Sequence, residues 1–411
     1  MASARAELAA IDIGTTKVTV AVGSMGDHGK PRLIGIGTHP CKGMRKGVLV
    51  NLEAAQKSLK AAVLEAEAMS ETEIGTAFVS VAGAHIRSFN SRGSIAVKGR
   101  DGEVSEEDMD RVLEAARAVS LPQDREILHV LPQEYVVDGQ PGIDRPLGMT
   151  ARRIMASVHL VTGAATTVQN VITCINRTGI EVAEVVLGQL ASAESVLTDD
   201  ERQLGCLLID IGGGTTDVAV FEKKAIWHTS VLPAGGDNFT NDIAVGLRTP
   251  IPDAERIKLR YGCANADLVD GEESLDVPSV GGRAGRVLSR RVLCEILEPR
   301  AEEIFTLVAD DVKRSGFDHA LRAGVILTGG GSLLDGLSSI AEKALDLPVR
   351  RGVPEQVEGL VHVSGNPASA TVAGLLSYGA RCGRGQRGPR MAVNVIHDVS
   401  RRVRDWLGVH F

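Results

Sequence analysis

The feature that most constrains this chain is a hairpin written twice. Ala10-Ile-Asp-Ile-Gly-Thr-Thr-Lys17-Val-Thr-Val returns as Leu208-Ile-Asp-Ile-Gly-Gly-Gly-Thr-Thr-Asp217-Val-Ala-Val. In each copy an apolar run of strand length ends on an acid, passes a Gly/Thr turn and resumes as a second apolar strand. Glycine lacks the Cβ that holds a ligand away from the backbone, so such a turn lays several N–H groups against a phosphate. Either copy alone reads as an ordinary glycine turn between strands. Two copies, each with its acid in the same place, predict two related domains whose turns clamp one triphosphate from both sides.

The residue types in the turns suit that task. The hydroxyls of Thr15, Thr16, Thr215 and Thr216 add hydrogen bonds, and Lys17 supplies a point charge. Asp12 and Asp210, each near the end of its strand, suit a hydrated Mg²⁺, which takes few carboxylates and keeps several waters. A third cluster, Gly329-Gly330-Gly331-Ser332, follows an apolar strand at 324–328. Bare glycines there accept a phosphate or let a flat ring lie on the backbone, although strand-Gly-helix turns are common. Glu255 and Lys258, on a short helix after Pro252, reach ribose and base or form a solvated i, i+3 pair. The chain has no Gly-x-x-x-x-Gly-Lys-Ser/Thr, which excludes a Walker-type nucleotide fold.

Length allows the two domains, since 411 residues exceed what one core commonly serves. Aromatics are only 3%, so the cores must be built from Val, Ile, Leu and Ala, with no stacking surface for single strands. The net charge of −7 leaves no basic footprint, and nucleic acid is not an expected partner. Six cysteines without a Cys-x-x-Cys read as reduced thiols. Asp12 interrupts the first apolar run, which is too short for a signal peptide, and no 18 consecutive apolar residues occur.

The alternation of strand-like and helix-like segments predicts an α/β chain. A helix over 52–69 places Leu52, Leu59, Val63 and Leu64 on one side, and a helix over 164–178 ends at Gly179. Between 84 and 161 the pattern changes to a small α+β insert. Its helix starts at Ser105-x-x-Asp108, flanked by short strands at 127–130 and 155–161. A second, irregular insert occupies roughly 232–287, and a long helix runs over 288–312.

The paired Asp-Ile-Gly turns and the late Thr-Gly-Gly-Gly resemble the actin-like ATPase superfamily. Within it the chain is similar to the FtsA family of bacterial cell-division proteins. The stretches that carry this are Arg45-Lys-Gly-Val, His129-Val-Leu-Pro-Gln-Glu-Tyr, Ser195-Val-Leu-Thr-Asp-Asp-Glu-Arg, Asp253-Ala-Glu-Arg-Ile-Lys258, Val277-Pro-Ser-Val-Gly-Gly-Arg283 and Val325–Gly331. The resemblance implies an actin-like two-domain ATPase fold. Domain 1A would hold 1–83 and 162–195, with subdomain 1C inserted at 84–161. Domain 2A would hold 196–231 and 301–380, with subdomain 2B at 232–300.

The same resemblance implies that ATP and Mg²⁺ contact Gly14, Thr15, Thr16 and Lys17 on one side. Asp210, Gly212, Gly213, Gly214 and Thr215 would contact them on the other, with Glu255 and Lys258 by the sugar and base and Gly330 and Gly331 under the adenine. It further implies filaments of the protein with itself, capture of the FtsZ C-terminal tail by 2B, and contacts of 1C with other division proteins. Asn241, Arg283 and Arg300 are the polar candidates for the FtsZ contact, by position in 2B. No convincing general base for hydrolysis stands out; Gln189 either orients water or is a plain amide on a connecting helix. Hydrolysis is therefore expected to be weak at most.

The tail supplies the last expectation. From Arg381 to Phe411 there are seven Arg and only two acids, and 381–395 has the Arg/Gly/Pro composition of a linker. In 396–411, Ile396, Val399, Val403, Trp406, Leu407 and Phe411 fall on one helical face, with Arg401, Arg402 and Arg404 beside it. That is the pattern of an amphipathic helix lying on anionic lipid, at the cytoplasmic face of the inner membrane. A helix docked on the protein's own body is the alternative. Two rival functions remain at this point: a pilus-assembly ATPase like PilM, which would lack such a tail, and a sugar-kinase-type phosphotransferase, for which the first domain shows no catalytic Asp.

Overall fold

A computed structural model describes residues 4–5, 7–26, 30–98, 102–360, 363 and 365–383. The tail helix at 396–411 and nearly all of the 381–395 linker lie outside the described residues. Contacts divide the chain into two units, one of 1–87 with 166–385 and one whose described part is 88–165.

The larger unit contains two sheets built on one plan. In the first, the antiparallel meander Leu8–Ile13, Lys17–Met25, Pro31–Pro40 is extended from its first strand by the parallel strands Thr76–Val81 and Glu181–Leu187. In the second, the meander Cys206–Ile211, Thr216–Glu222, Ala225–Leu232 is extended in the same direction by Val325–Thr328 and Val349–Arg351. The repeated hairpin is thus the start of a repeated topology. Parallel neighbours need crossover helices, and these cover the sheets.

Helix Leu52–Ser70 illustrates why the pieces fit. The Asn51 side chain accepts from the Ala54 N–H at its start, satisfying one of the end donors. Its buried stripe is Ala55, Ser58, Leu59, Ala62, Val63 and Ala66. Leu64 does not belong to it, being 67% exposed, because at 100° per residue it falls off the Leu59–Ala62–Ala66 line. The helix lies so close to its sheet that a Cβ on Gly37 would meet the Ala62 carbonyl at 1.9 Å.

After the second meander come helices Gly236–Gly246 and Ile251–Tyr261, a hairpin of Ser274–Val277 with Arg286–Ser289, and the helix Arg290–Ser315. The last is one element of 26 residues running through position 300, capped by Ser289 and stopped by Gly316 in the left-handed region. Leu207 and Ile209 of the sheet share one apolar core with Phe239, Ile257, Leu293 and Phe305. The insert is therefore welded to its domain, and beside that shared core it has only the small buried cluster of Cys263, Ala266, Val269 and Cys294.

The smaller unit is a four-stranded sheet in the order Gln140–Ile143, Arg125–Val137, Arg153–Ala164, Arg87–Ala96. Helix Glu106–Arg117 begins with the Ser105/Asp108 capping box and buries Val112 and Ala116 against Tyr135, Ile154 and Val158. The central strands are longer than the 127–130 and 155–161 segments read from sequence. A register shift at Pro132–Glu134 lets the pairing continue past the proline.

Candidate functional site

The two turns are copies in structure as well as in sequence. The Gly14 N–H donates to the Lys17 carbonyl at 2.9 Å, and the Gly212 N–H donates to the Thr215 carbonyl at 2.9 Å. Across the first hairpin Asp12 pairs with Thr19, and across the second Asp210 pairs with Asp217. The copies therefore superpose without a gap. Lys17 corresponds to Thr215, and Asp217 to Thr19. Reading Lys17 against Asp217, as the shared Thr-Thr invites, is corrected by this register.

The turns meet face to face. A Cβ on Gly213 would lie 2.4 Å from Thr16 Cγ2, and one on Gly214 would lie 2.6 Å from Thr15 Oγ1. Only glycine permits that approach. Thr15 Oγ1 also accepts from the Gly47 N–H at 3.1 Å. Behind the second turn, the start of helix Gly236–Gly246 braces it: Gly236 N–H donates to the Gly212 carbonyl at 2.9 Å and Asp237 N–H to that of Gly213 at 2.7 Å.

Beneath the turns lie the acids. Asp12 accepts from the Ser80 hydroxyl at 2.5 Å, and burial raises its carboxyl above the usual range. Asp210 accepts from Ser192 Oγ at 2.5 Å and Thr371 Oγ1 at 3.4 Å. Burial pushes its pKa up to about 6, against the pull of the Ser192 hydrogen bond. Lys17 donates to the Ala368 carbonyl at 2.7 Å; burial lowers its pKa, while Asp12 and Asp210 hold it up. A group of carboxylates that outnumbers its cation, beside turns partly open at Gly14, Thr15, Thr16, Gly212 and Gly213, is chemically suited to a divalent ion. Among the described residues no three His, Cys, Asp or Glu side chains are close enough to hold an ion directly. Two carboxylates, Asp12 and Asp210, would suit a small, firmly hydrated cation that takes few protein ligands.

The third glycine cluster joins the same place. Gly329, at φ +82°, sits where a Cβ would be 2.2 Å from Asp210 Oδ1, and Gly331 where one would be 2.4 Å from Ile211 Cγ2. Gly330 is the open member, with only Ala368 Cβ at 3.6 Å. Lys258 is more than half of a solvated pair. Its Nζ reaches Glu255 Oε2 at 2.7 Å, Thr240 Oγ1 at 2.8 Å and the Gly236 carbonyl at 3.1 Å, which ties it to the brace of the second turn. The structure therefore gathers the 12–17, 210–215 and 329–331 segments together, with Lys258 and Glu255 linked to them through Gly236.

Two neighbours were not singled out from sequence as site residues, Ser192 and Asp217; Gln189, read from sequence as either a water-orienting group or a plain amide, is fully buried. Asp217 was visible as the second acid of the repeat, but its place beside Asp210 depends on strand register. Farther off, Asn241 is exposed on helix Gly236–Gly246 and Arg283 is exposed after the 280–282 turn. Arg300 holds Asp242 with two hydrogen bonds, at 2.6 and 3.0 Å, and also contacts Glu303.

Comparison with known proteins gives the family and the fold. The family described as "Cell division protein FtsA" matches residues 207–374, and "SHS2 domain inserted in FTSA" matches residues 83–162. The chain is 50% identical to the cell division protein FtsA of Pseudomonas aeruginosa, over 90% of this chain and 88% of that protein. It is 38% identical to FtsA of Escherichia coli, over 98% of this chain and 97% of that protein. Among solved structures, a PilM-PilN type IV pilus biogenesis complex matches with TM-score 0.66 at 17% identity, covering 92% of this chain and 99% of that one. MreB5 of Spiroplasma citri bound to ADP matches with TM-score 0.53 at 15% identity, covering 92% and 98%. At such identities the structures speak for the actin-like fold alone.

Proposed function

Because this chain belongs to the FtsA family of cell-division proteins, we propose that it binds ATP with Mg²⁺ between its paired turns, assembles with further copies of itself and holds FtsZ at the cytoplasmic face of the inner membrane. The observation that carries this is the apposition of Gly213 and Gly214 to Thr16 and Thr15 above Asp12, Asp210 and Lys17. In this reading the amides of Gly213 and Gly214 and the hydroxyls of Thr15, Thr16 and Thr215 bind the phosphates, while Gly14 and Gly212, whose N–H groups close their own turns, let the phosphate chain come close to the backbone. Lys17 offsets their charge, and Asp12 and Asp210 order the waters of Mg²⁺. Glu255 and Lys258 face the ribose and base, and Gly330 leaves room for the adenine, while Gly331 lets that turn lie against Ile211.

The FtsZ tail is assigned to the 232–300 region. Val245, Ile251, Leu259, Leu268 and Val287, all in that region, are each more than half exposed. Exposed apolar side chains in this density favour a short peptide ligand. Asn241, Arg283 and Arg300 would supply its polar contacts. The 88–165 unit is left for other division proteins. Among the described residues no helix is long and apolar enough to cross a membrane, so attachment is assigned to the amphipathic stripe of 396–411.

Sedimentation with vesicles of anionic lipid, with and without ATP and FtsZ, tests the whole reading. FtsZ should pellet only when this protein is present, and more so with ATP. If the protein pellets but leaves FtsZ in solution, the anchoring role fails and a pilus-type function gains ground.

A further inference from the structure

A groove of about 640 Å³ opens at the starts of strands Thr76–Val81 and Glu181–Leu187, between the second half of helix Leu52–Ser70 and the turn at 178–180. Ile74 and Ile180 are buried at its floor, and Leu64, the side chain that falls off the helix's core stripe, stands on its wall. Three acids line it, Glu67, Glu71 and Glu73, against one cation, Lys60. Glu67 Oε1 accepts from the Ile74 N–H at 2.8 Å. Glu71 and Glu73 are exposed, with no ion pair among the described residues.

An exposed leucine calls for an apolar partner, and unpaired acids call for cations. Together they fit a basic amphipathic segment, and this chain contains one. Residues 384–411 carry six Arg against two Asp, with the apolar stripe beginning at Ile396. The segment also starts close by. Tyr378 Oη donates to Glu184 Oε1 at 2.7 Å, so helix Ala370–Gly383 ends against the strand whose start borders the groove. Four residues of strand separate Glu184 from Ile180, roughly 13 Å. A linker over 384–395 reaches roughly 20 Å, which spans that distance. Being tethered, the tail meets the groove at an effective concentration that no free peptide matches.

We propose that, away from lipid, residues 396–411 occupy this groove of their own chain, with the apolar stripe over Leu64 and the arginines at Glu71 and Glu73. The inference rests on the amphipathic reading of the tail used above for membrane attachment, and gives the same stripe a second surface. Docking on the body and lying on lipid are then alternatives in time. The groove shields Trp406, Leu407 and Phe411 from water until an anionic surface takes the segment over.

Trypsin cleavage at Arg401, Arg402 and Arg404 of the full chain without lipid, followed by mass spectrometry, tests this. Glu71→Gln with Glu73→Gln, and separately Leu64→Ser, should release the tail peptides about tenfold faster than the parent. These side chains are exposed, so the variants fold. Lys60→Gln should slow release by about twofold, an effect that a loosened fold does not produce. Equal rates in all four proteins overturn the proposal and leave the groove to another partner. Protection that disappears on dilution places the tail on a second copy, and overturns it too. Sedimentation with anionic vesicles separates this inference from the attachment reading: the double variant should pellet at several-fold less lipid than the parent. If the cleavage rates differ as stated but no protein pellets, membrane attachment fails and the groove stands. If all pellet alike and are cut alike, the groove alone fails.

Discussion

A Cβ on Gly374 would stand 1.7 Å from the carbonyl oxygen of Ala191. Helices Gly188–Val196 and Ala370–Gly383 therefore cross backbone on backbone, with no side chain between them. Beside the crossing, Ser195 Oγ donates to the Ala370 carbonyl at 2.7 Å, and Ser192 meets both Thr371 and Asp210. The donor that holds Asp210 is thus positioned by a helix contact that tolerates no added atom.

Gly374→Ala should destabilise the protein by about 3 kcal/mol or prevent folding, although alanine is the better helix former. Gly75→Ala, where nothing lies within 4 Å, should shift stability by less than about 0.5 kcal/mol. Urea unfolding of both variants checks this; a Gly374→Ala protein as stable as the parent would mean that the helices separate without cost.

Gly213→Val should weaken ATP binding by about 30-fold or more, on the order of 2 kcal/mol, because its Cβ alone collides with Thr16. Asp210→Ala should do the same by removing an anchor of the Mg²⁺ waters. Calorimetry reads both. Affinities within about twofold of the parent would remove the site from these turns.

The raised pKa of Asp210 gives a pH signature. The folded carboxyl titrates at about 6, above the ordinary value near 4, so in that window the folded state binds a proton that the unfolded chain does not. Without ligand, this group costs stability above pH 6, on the order of 3 kcal/mol at pH 7.5, and the cost disappears as pH falls below about 4. Asp210→Asn should therefore melt higher than the parent at pH 7.5, with the gap narrowing markedly at pH 5. Asp12, Lys17 and Asp217 face the same place, so the gap reports Asp210 together with its coupling to them. A gap of equal size at both pH values contradicts the assignment.

Trp406→Glu should leave ATP affinity unchanged and release the protein from anionic vesicles, since it puts a charge on the apolar stripe. Co-sedimentation equal to that of the parent would favour a tail helix docked on the body.

Much of this site was legible because it is local. Asp12, the 14–17 turn, Asp210 and the 212–215 turn are short motifs whose acids, glycines and threonines declare their use. What escaped the sequence depends on register and packing. The Thr-Thr pairs at 15–16 and 215–216 suggest an alignment two residues out of step, and only the ladder partners Asp12–Thr19 and Asp210–Asp217 correct it. Leu64 looked like core because it is apolar and next to Val63, yet a helix spaces neighbours 100° apart. The weld between the 232–300 region and its domain was equally hidden, since Phe239 and Phe305 reach one core from separate helices.

The gap-free superposition of the hairpins has a consequence for direction. Two identical halves would make a cleft that reads the same from either end, and a nucleotide would enter it in two orientations. Here the equivalent places carry opposite chemistry: Lys17 answers to Thr215, and Thr19 to Asp217. One wall offers a cation, the other three glycines in a row and an extra acid. That imbalance gives the cleft a head and a tail, and under the proposed nucleotide reading a phosphate chain would point one way only.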